Sequence, residues 1–357
     1  MNINRQRKII NVLLVDDSIV ATTLLKGMLS LSPSINVVGC ALNGKEALKL
    51  IPFLKPDVIC TDIVMPVMNG IELIHEVMCT NPMPILVISE YVSDEHQQNV
   101  FELLEAGAID VFQKPDLSRA CNLKTKASEL ISKIKIISGV VPFTKHKKKD
   151  ILKDPIEKQP PTLKSNMKII AIGASTGGPQ VFHAILQTLP PNYAFPIVCI
   201  QHISNGFLHG FIEWLAGDTT LTVKIATDGE IPKLGTVYFA PENLHLEMNN
   251  AGHFITTARP AYDGHKPSIT VTFNSLAKHY GSNVTGILLS GMGKDGAEGL
   301  FNILQAGGST IAQDEDSSVV FGMPKQAINL GAAQCVLSVD EIIDFLAYSI
   351  NHKCKKY

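Results

Sequence analysis

Short apolar runs alternate with segments of helical periodicity along the first 120 residues of this 357-residue chain. Five runs rich in β-branched residues are predicted as strands, at residues 9–15, 35–41, 58–61, 85–89 and 108–112. Helical spacing of apolar residues lies between them, at residues 19–31, 44–53 and 70–80. Strands and helices that alternate in this way form a parallel, doubly wound sheet, because each crossover helix packs on a face of the sheet.

The alternation stops near residue 122 and resumes after residue 166. The stretch between contains four prolines and the basic cluster 145–149, and it reads as a linker that begins with a helix at residues 123–137. A solvated linker explains the basic cluster, and an acidic partner or lipid headgroups are the alternatives. Further strands are predicted at residues 169–173, 196–201, 236–240, 269–273 and 284–290. The chain is long enough for two α/β domains, each with its own core.

Composition narrows the class of protein. The formal net charge of −2 argues against a nucleic-acid-binding protein, which needs a basic surface. No apolar run approaches the roughly 20 residues of a membrane span, and the start of the chain leads into a strand pattern rather than a signal peptide. The seven cysteines are dispersed without a Cys-x-x-Cys pair, which favours reduced thiols over disulfides or zinc. We therefore expect a cytoplasmic protein.

Polar side chains follow the predicted strands of the first half at their carboxyl ends. Asp16 and Asp17 follow the first strand, Asp62 follows the third, and Lys114 follows the fifth. The carboxyl ends of parallel strands gather along one edge of a sheet, so three carboxylates would converge there. Mg²⁺ suits such a site, because it binds a few carboxylates together with water and phosphate oxygens. Lys114 and the Ser89 hydroxyl would then contact a phosphoryl group, although each acid taken singly also fits a turn or a helix cap.

The run Gly173-Ala174-Ser175-Thr176-Gly177-Gly178 directly follows the apolar segment 167–172. Glycines at 173 and 177 permit the sharp strand-to-helix turn of a nucleophile elbow, which exposes a serine at the carboxyl edge of a sheet. Ser175 is therefore a candidate nucleophile. A helix cap and a phosphate cradle of the dinucleotide-binding kind are the alternatives, although the spacing is not Gly-x-Gly-x-x-Gly.

The next predicted strand ends in Gln201-His202. A right-handed crossover places consecutive parallel strands side by side or close, so His202 would lie within hydrogen-bond reach of Ser175 and act as its general base. Asp295, in the glycine-rich loop after the strand at 284–290, would orient the imidazole, and the loop would supply oxyanion donors. Taken singly, Asp295 also fits a turn or an N-cap. Other histidines are rivals for the base but follow less clear strands: His209, His245, His265 and His279.

The first half resembles the receiver domain of two-component response regulators. The resemblance rests on Val12-Leu-Leu-Val-Asp-Asp-Ser18, Asp62-Ile-Val-Met-Pro-Val-Met-Asn-Gly70, Ser89 and Lys114-Pro115. It implies that Asp62 accepts a phosphoryl group from a histidine kinase and that Asp16, Asp17 and Asp62 hold Mg²⁺. It also implies that Ser89 and Lys114 sense the phosphate.

The second half resembles the CheB methylesterase family. The resemblance rests on Gly173-Ala-Ser-Thr-Gly-Gly-Pro179, Gln201-His202, Ala240-Pro241, His265-Lys-Pro-Ser268, Gly291-Met-Gly-Lys-Asp-Gly-Ala297 and Val320-Phe-Gly-Met-Pro324. It implies Ser175 as nucleophile, His202 as base and Asp295 as orienting acid, with the backbone of Thr176 and Met292 lining the oxyanion site. Four positions depart from the two family patterns: Glu90, Val111, Lys266 and Thr270.

Together the two resemblances imply two doubly wound parallel-sheet α/β domains. These are a flavodoxin-like receiver at residues 1–122 and a Rossmann-like methylesterase domain at residues 167–357, joined by a linker at 123–166. The implied activity is a phosphorylation-activated serine esterase that removes methyl groups from glutamate methyl esters of chemoreceptors and deamidates receptor glutamines. The implied partners are methyl-accepting chemotaxis receptors as substrate and the histidine kinase CheA as phosphodonor. No cofactor is expected in the esterase, and neither nucleic acid nor membrane insertion is expected.

Two other classes of function remain as alternatives. One is an interaction module controlled by phosphorylation, in which the esterase domain serves only as a docking scaffold. A missing triad residue would point to that class, and none is missing from the sequence. The other is a nucleotide-dependent oxidoreductase, which predicts tight binding of a dinucleotide.

Overall fold

The computed structural model describes residues 9–89, 97–115, 123–140 and 168–351. The chain forms two compact units, Met1–Lys149 and Asp150–Tyr357. Most of the predicted linker, its basic cluster 145–149 and Glu90 lie outside the described residues. The domain boundaries at residues 122 and 167 stay predictions. In the part of the chain that the structure describes, no helix is both long and apolar enough to cross a membrane.

Five strands form the sheet of the N-terminal unit: β1 (Ile10–Val15), β2 (Ile35–Ala41), β3 (Val58–Thr61), β4 (Ile85–Ser89) and β5 (Asp110–Gln113). Its helices are α1 (Ile19–Leu29), α2 (Gly44–Leu54), α3 (Gly70–Thr80), α4 (Gln97–Ala106) and α5 (Leu123–Ile137). The strands pair in parallel in the order β2-β1-β3-β4-β5, which is the flavodoxin-like order. The order reverses between β1 and β3, so residues that follow these two strands face one crevice.

Local sequence accounts for the helix starts in the N-terminal unit. Ser18, Asn43 and Asn69 are N-caps whose side chains accept backbone N–H bonds from the first turn of α1, α2 and α3. At α3 the cap is completed by Glu72, which bonds back to the Asn69 N–H in a capping box. Helix α5, predicted at the start of the linker, buries Leu130 and other apolar residues and packs against α1 in this unit.

The described residues of the C-terminal unit form nine strands: β6 (Ile169–Ala174), β7 (Ile197–Gln201), β8 (Thr222–Ile225), β9 (Thr236–Phe239), β10 (His245–Met248), β11 (Phe254–Thr257), β12 (Val284–Leu288), β13 (Ser309–Gln313) and β14 (Cys335–Leu337). Its helices are α6 (Gly178–Leu186), α7 (Leu208–Gly217), α8 (Ile269–Tyr280), α9 (Ala297–Gln305), α10 (Met323–Asn329) and α11 (Val339–Asn351). Strands β10 and β11 form an antiparallel hairpin, and the others form one parallel sheet in the order β14-β13-β12-β6-β7-β9-β8.

Strand β6 lies at the centre of this sheet and is buried along its whole length. A strand covered by helices on both faces is apolar at every position, and this explains why its sequence, Ile-Ile-Ala-Ile-Gly-Ala, shows no polar alternation. The chain leaves β6 toward β7 on one side and returns to β12 on the other, so a crevice opens at the carboxyl end of β6. The prediction of two doubly wound parallel-sheet α/β domains is confirmed.

The strand predicted at residues 269–273 is wrong, because these residues begin helix α8. The β-branched run Ile269, Thr270, Val271 and Thr272 favours a strand locally. The Ser268 side chain, however, caps the helix by accepting the Val271 N–H, and the buried positions follow helical spacing through Phe273. Tertiary contacts at the helix start therefore outweigh the local β propensity.

Candidate functional site

Ser175 stands where β6 turns into α6. Its N–H donates to the Ser290 carbonyl (3.0 Å), and its carbonyl accepts the Gly178 N–H (2.9 Å). The N-cap of α6 is Gly177, which has a φ of 81° and makes no side-chain cap bond. A positive φ favours glycine, so this residue permits the sharp turn predicted for an elbow. Because Ser175 is not the cap, its half-buried hydroxyl remains available at the carboxyl edge of the sheet.

His202 follows the neighbouring strand at the same level. In the β6–β7 pairing Ala174 lies opposite Gln201, and the His202 N–H donates to the Ala174 carbonyl (3.0 Å). The predicted juxtaposition of the two strand ends is therefore observed. Within the described ranges no hydrogen bond joins the Ser175 hydroxyl to the imidazole, and His202 Nδ1 is buried without a partner. Catalytic hydrogen bonds of this kind are often long before substrate binds.

Asp295 reaches the imidazole from the other side of β6. Its Oδ2 lies 3.0 Å from His202 Nε2 and also accepts the Ile269 N–H (2.8 Å). Its Oδ1 accepts the Ser268 hydroxyl (2.8 Å) and the Thr270 N–H (3.0 Å). The carboxylate is thus held by the first residues of α8 as well as by its own loop. An acid held in this way fixes one nitrogen of the imidazole and leaves the other, Nδ1, to act as a base.

The electrostatics of Asp295 favour its ionised form. Burial alone would raise the pKa of this carboxyl group, because its side chain is fully covered. The hydrogen bond and charge of His202 and the N–H and side chain of Thr270 act in the opposite direction and outweigh burial. The pKa of Asp295 therefore lies well below its usual range. A carboxylate that stays charged stabilises the imidazolium that forms when His202 takes up a proton.

Of the rival histidines, His265 lies against the predicted base. Its ring stacks on that of His202, with centroids 4.1 Å apart and planes within 2° of parallel. His245 is buried elsewhere in the site wall, where Nε2 contacts the Pro260 carbonyl and Nδ1 accepts the Ser268 N–H. His209 is exposed, and His279 packs edge-on against Tyr280. In the sequence His265 is only a rival for the base, because nothing in its local pattern indicates the stack.

Three polar side chains that sequence reasoning did not assign support the elbow. Gln201 donates its amide hydrogens to the carbonyls of Ser175 and His202, both at 2.8 Å. Ser290 donates to the Thr176 carbonyl (2.8 Å), and its own N–H donates to Gln313 Oε1 (2.7 Å). Gln201 and Ser290 end buried strands at the same sheet edge as Ser175. A polar residue at the end of an apolar strand is the sequence signal that could have identified them.

The glycine-rich loop after β12 approaches the elbow closely. A Cβ on Gly291 would lie 2.7 Å from the Ser175 Cβ, so a larger residue cannot occupy this position without displacing the serine. Met292 follows with an exposed side chain. The oxyanion roles of the Thr176 and Met292 backbone stay predictions. Thr176 directly follows Ser175, and Met292 directly follows Gly291, the glycine that approaches the serine.

A second cluster lies at the carboxyl edge of the N-terminal sheet. The carboxylates of Asp16, Asp17 and Asp62 each place an oxygen within 4.8 Å of the others. Lys114 Nζ lies 2.7 Å from oxygens of both Asp16 and Asp62. Ser89 is buried beside it, and its carbonyl accepts the Lys114 N–H (2.7 Å). The five residues predicted to meet at this edge are therefore brought together.

Burial sets the charge balance of this cluster. Desolvation raises the pKa of Asp62, and the nearby Asp16 adds to that shift, while Lys114 and the Ile63 N–H oppose it. Desolvation lowers the pKa of Lys114, but its bonds to Asp16 and Asp62 outweigh burial and raise it. Among the described residues Lys114 contacts two of the three clustered acids, so negative charge exceeds positive charge in this part of the site. Three clustered carboxylate oxygens are the hard ligands that Mg²⁺ prefers, and the residues present therefore fit this ion.

Comparisons with known proteins agree with this architecture. Residues 170–346 match the family described as CheB methylesterase, and residues 12–123 match the response regulator receiver domain. A protein-glutamate methylesterase/protein-glutamine glutaminase of Methanospirillum hungatei JF-1 is 40% identical over 342 residues, which cover 94% of this chain and 97% of that protein. A protein of the same description from Syntrophus aciditrophicus is 38% identical over 93% of this chain and 96% of its own length. The crystal structure of the Thermotoga maritima CheB methylesterase catalytic domain is 39% identical, with a TM-score of 0.50, over 51% of this chain and 98% of that chain.

Proposed function

This chain belongs to the protein-glutamate methylesterase/protein-glutamine glutaminase family, and we propose that it hydrolyses γ-glutamyl methyl esters on chemoreceptors. The same site would deamidate receptor glutamines, with ammonia as the leaving group instead of methanol. The contact between His202 and Asp295 at the edge where Ser175 stands carries this proposal. The dispersed cysteines suit reduced thiols, and we place the activity in the cytoplasm.

The first half-reaction forms an acyl-enzyme. Ser175 Oγ bonds to the ester carbonyl carbon as its proton passes to His202 Nδ1, and the carbonyl oxygen becomes an oxyanion. Asp295 stabilises the resulting imidazolium through Nε2. When the carbonyl re-forms, the bond to the methoxy oxygen breaks, and His202 returns the proton so that methanol leaves. Backbone N–H groups of Thr176 and Met292 would bind the oxyanion.

The second half-reaction releases the glutamate side chain. A water molecule gives a proton to His202 Nδ1 while its oxygen bonds to the acyl carbon. The intermediate then collapses, the bond to Ser175 Oγ breaks, and His202 returns the proton to the serine. The products are a glutamate carboxylic acid, which ionises, and the free enzyme. The alternative of a nucleotide-dependent oxidoreductase predicts tight binding of a dinucleotide, and a titration that shows no binding would reject it.

Phosphorylation of Asp62 would control the esterase. The residue lies beside Lys114, which would pair with a phosphoryl oxygen, and beside Asp16 and Asp17, which would hold Mg²⁺. Mg²⁺ would supply charge neutralisation for transfer from a histidine kinase of the CheA type. Ser89 would report the phosphoryl group through its hydroxyl. The N-terminal unit would restrict access to Ser175 until Asp62 is phosphorylated. Such control requires two arrangements of the domains that differ in their affinity for the phosphoryl group.

Release of methanol from methylated receptor membranes tests the catalytic proposal. The wild-type chain should release methanol, and the Ser175→Ala variant should lose at least about 1,000-fold in rate, because a nucleophile has no substitute in this site. The matched control is Ser204→Ala, which removes a buried hydroxyl, close to His202 in sequence, that the mechanism does not use. Retained activity in Ser175→Ala would reject Ser175 as the nucleophile, and an inactive wild type would favour the docking-scaffold alternative.

The same assay with an acyl-phosphate donor tests the regulatory proposal. The donor should stimulate the wild type but not the Asp62→Ala variant, because only Asp62 provides the accepting carboxylate. Asp57→Ala is a matched control, since Asp57 precedes the same strand at its other end and bonds to the Asn11 N–H. Equal stimulation of wild type and Asp62→Ala would show that control does not pass through this residue.

A further inference from the structure

The imidazole of His202 has a second partner besides Asp295. The His265 ring lies flat on it, with centroids 4.1 Å apart and planes within 2° of parallel. His202 is nearly buried, with 12% of its side chain exposed, and His265 is half-buried. One ring face of His202 is therefore covered by another imidazole rather than by solvent.

The hydrogen bond to Asp295 leaves the imidazole one degree of freedom. The bond places Nε2, but the ring can still tilt about that contact, and a tilt changes the direction in which Nδ1 points. A second ring stacked on the face restricts that tilt. We infer that His265 is a positioning residue that fixes the plane of the His202 imidazole, so that Nδ1 is directed at the Ser175 hydroxyl. This inference rests on the proposed function, because it assigns His202 as the base.

The loop that carries His265 is tied down at several points. Tyr262 and His265 exchange both backbone hydrogen bonds, at 3.0 and 2.9 Å. The Tyr262 hydroxyl donates to Glu298 on α9 (2.7 Å), and Ser268 at the other end of the loop donates to Asp295 (2.8 Å). His265 thus lies on a segment that is held by hydrogen bonds at both ends, and one of these bonds is to Asp295 itself. A mobile loop would not restrict a neighbouring ring.

The stack supports catalysis only while His265 is uncharged. His202 becomes an imidazolium in each half-reaction, and a second cation 4.1 Å away would oppose that charge. The charged groups around His265 are His202 after β7, Asp295 after β12 and Asp263 on its own loop. Burial, and next the charge on His202, lower the pKa of His265, whereas the two acids raise it less. His265 therefore stays neutral at neutral pH and loses that state only in acid.

His265 is not itself the base. Its ring has no carboxylate hydrogen bond within the described residues, whereas His202 is bonded to Asp295. A base without an orienting acid lacks the fixed tautomer that proton transfer requires. His265 therefore contributes to catalysis only by restricting the His202 ring.

Steady-state kinetics of full-length variants with methylated receptor membranes and a phosphodonor test the inference. His265→Ala should lower kcat by about 10- to 100-fold with KM within about twofold, the penalty expected for a misdirected catalytic group. His265→Phe keeps a flat ring and should restore kcat to within about threefold of wild type. His279→Ala, on the same unit but outside the site, should match the wild type. Melting temperatures of all variants separate misfolding from misalignment.

The pH profile provides a readout that loss of structure does not produce. In the wild type, protonation of His265 removes the active form, so it should steepen the acid limb of log kcat/KM. In His265→Phe that proton is gone, and the acid limb should be less steep than in the wild type. NMR titration of ¹³C-histidine-labelled chain should show His265 titrating in acid, and its curve should change when His202 is replaced by Gln.

Three outcomes would overturn the inference. Unchanged kcat in folded His265→Ala would show that the stack does not position the base. A rise in KM alone would make His265 a substrate contact, and a His265→Phe variant as slow as His265→Ala would mean that an imidazole nitrogen is required. These results all presuppose that wild type releases methanol. Failure of the wild type would instead reject the proposed function, and the NMR titration would still report on the stacked pair.

Discussion

At the scale of single residues, several side chains around Ser175 hold the backbone of the site in place. Gln201 is the clearest example, because its amide group bridges the carbonyls of Ser175 and His202 at 2.8 Å each. The side chain is buried, and its Oε1 lies against Gly178, where a Cβ would approach it to 2.1 Å. The glycine after the elbow therefore makes room for the residue that sets the spacing between nucleophile and base.

Replacement of Gln201 by Glu should lower kcat by about 10- to 100-fold, because a carboxylate oxygen repels the two carbonyls that the amide hydrogens now bind. Methanol release is the measurement, with melting temperature recorded in parallel. The control is Gln187→Glu, the same exchange at an exposed position on the end of α6. Equal kcat in the two variants would show that the Gln201 bridge does not set the geometry of the site.

Asp295 links the site to stability through its lowered pKa. A carboxyl group with a lowered folded-state pKa stabilises the fold fully above its unfolded value of about 3.9 and loses that contribution as pH falls below it. Between pH 5 and pH 3 the wild-type C-terminal unit should therefore lose about 1 kcal/mol more unfolding free energy than Asp295→Asn does. Urea unfolding at both pH values measures this difference. A parallel loss in both proteins would contradict the assignment.

At the scale of elements, helix α8 both fills the core and holds Asp295. Its apolar face fills the core of the C-terminal unit with Ile269, Phe273 and Leu276. Its first turn points N–H groups of Ile269 and Thr270 at Asp295, a favourable place for a carboxylate because the N-terminus of a helix is partly positive. The helix that was predicted as a strand is therefore the element that holds the orienting acid.

Ser268→Ala should weaken both functions of the helix start. The Ser268 hydroxyl caps α8 and donates to Asp295 Oδ1, so its loss should cost about 1–2 kcal/mol of unfolding free energy and lower kcat several-fold. The matched control is Asn43→Ala, which removes the cap of α2 in the N-terminal unit. That variant should lose stability without any change in methanol release by the unphosphorylated chain. A Ser268→Ala variant with full kcat would show that the Ser268 cap stabilises the helix without affecting catalysis.

At the scale of the whole molecule, the two units differ in how their sites are charged. The C-terminal site balances Asp295 with His202 and helix N–H groups, whereas the N-terminal site gathers three carboxylates around one lysine. Excess negative charge in a partly buried cluster destabilises the folded state until a cation neutralises it. Ion binding should therefore stabilise one unit and not the other.

Addition of millimolar Mg²⁺ should raise the melting temperature of the N-terminal unit by a few degrees, as expected for a ligand that binds only the folded state. The transition of the C-terminal unit should not move. Calorimetry of the full chain resolves the two transitions, with NaCl at equal ionic strength as the control for screening. Asp17→Asn should reduce the shift, and a shift that survives in that variant would place the ion elsewhere.

Local patterns predicted much of the fold because they depend on neighbours in sequence. The strands at 35–41, 58–61 and 85–89 and the helix at 70–80 were predicted with the bounds that the structure shows. Glycines and polar residues at strand ends marked Ser175, His202 and Asp62, since a buried parallel strand must end where its first polar group meets solvent. The strand predicted at 269–273 was wrong because β-branched residues favour a strand locally. Ser268 and Asp295, which lie outside the run, accept the backbone N–H groups at the start of a helix instead.

The sequence by itself thus determined the strands of the N-terminal sheet, strands β6, β7, β9 and β12, and the residues that follow their carboxyl ends. Strands β8, β10, β11, β13 and β14 were not predicted. The sequence also predicted which of those residues meet, but only the tertiary structure shows the contacts that hold them together. His202 and Asp295 are 93 residues apart, and they touch because β7 and β12 both pair with β6. The His265 stack and the Gln201 bridge arise in the same way. Periodicity records the burial of each segment, but side-chain contacts depend on which segments pack together, and one chain carries no local signal of that pairing.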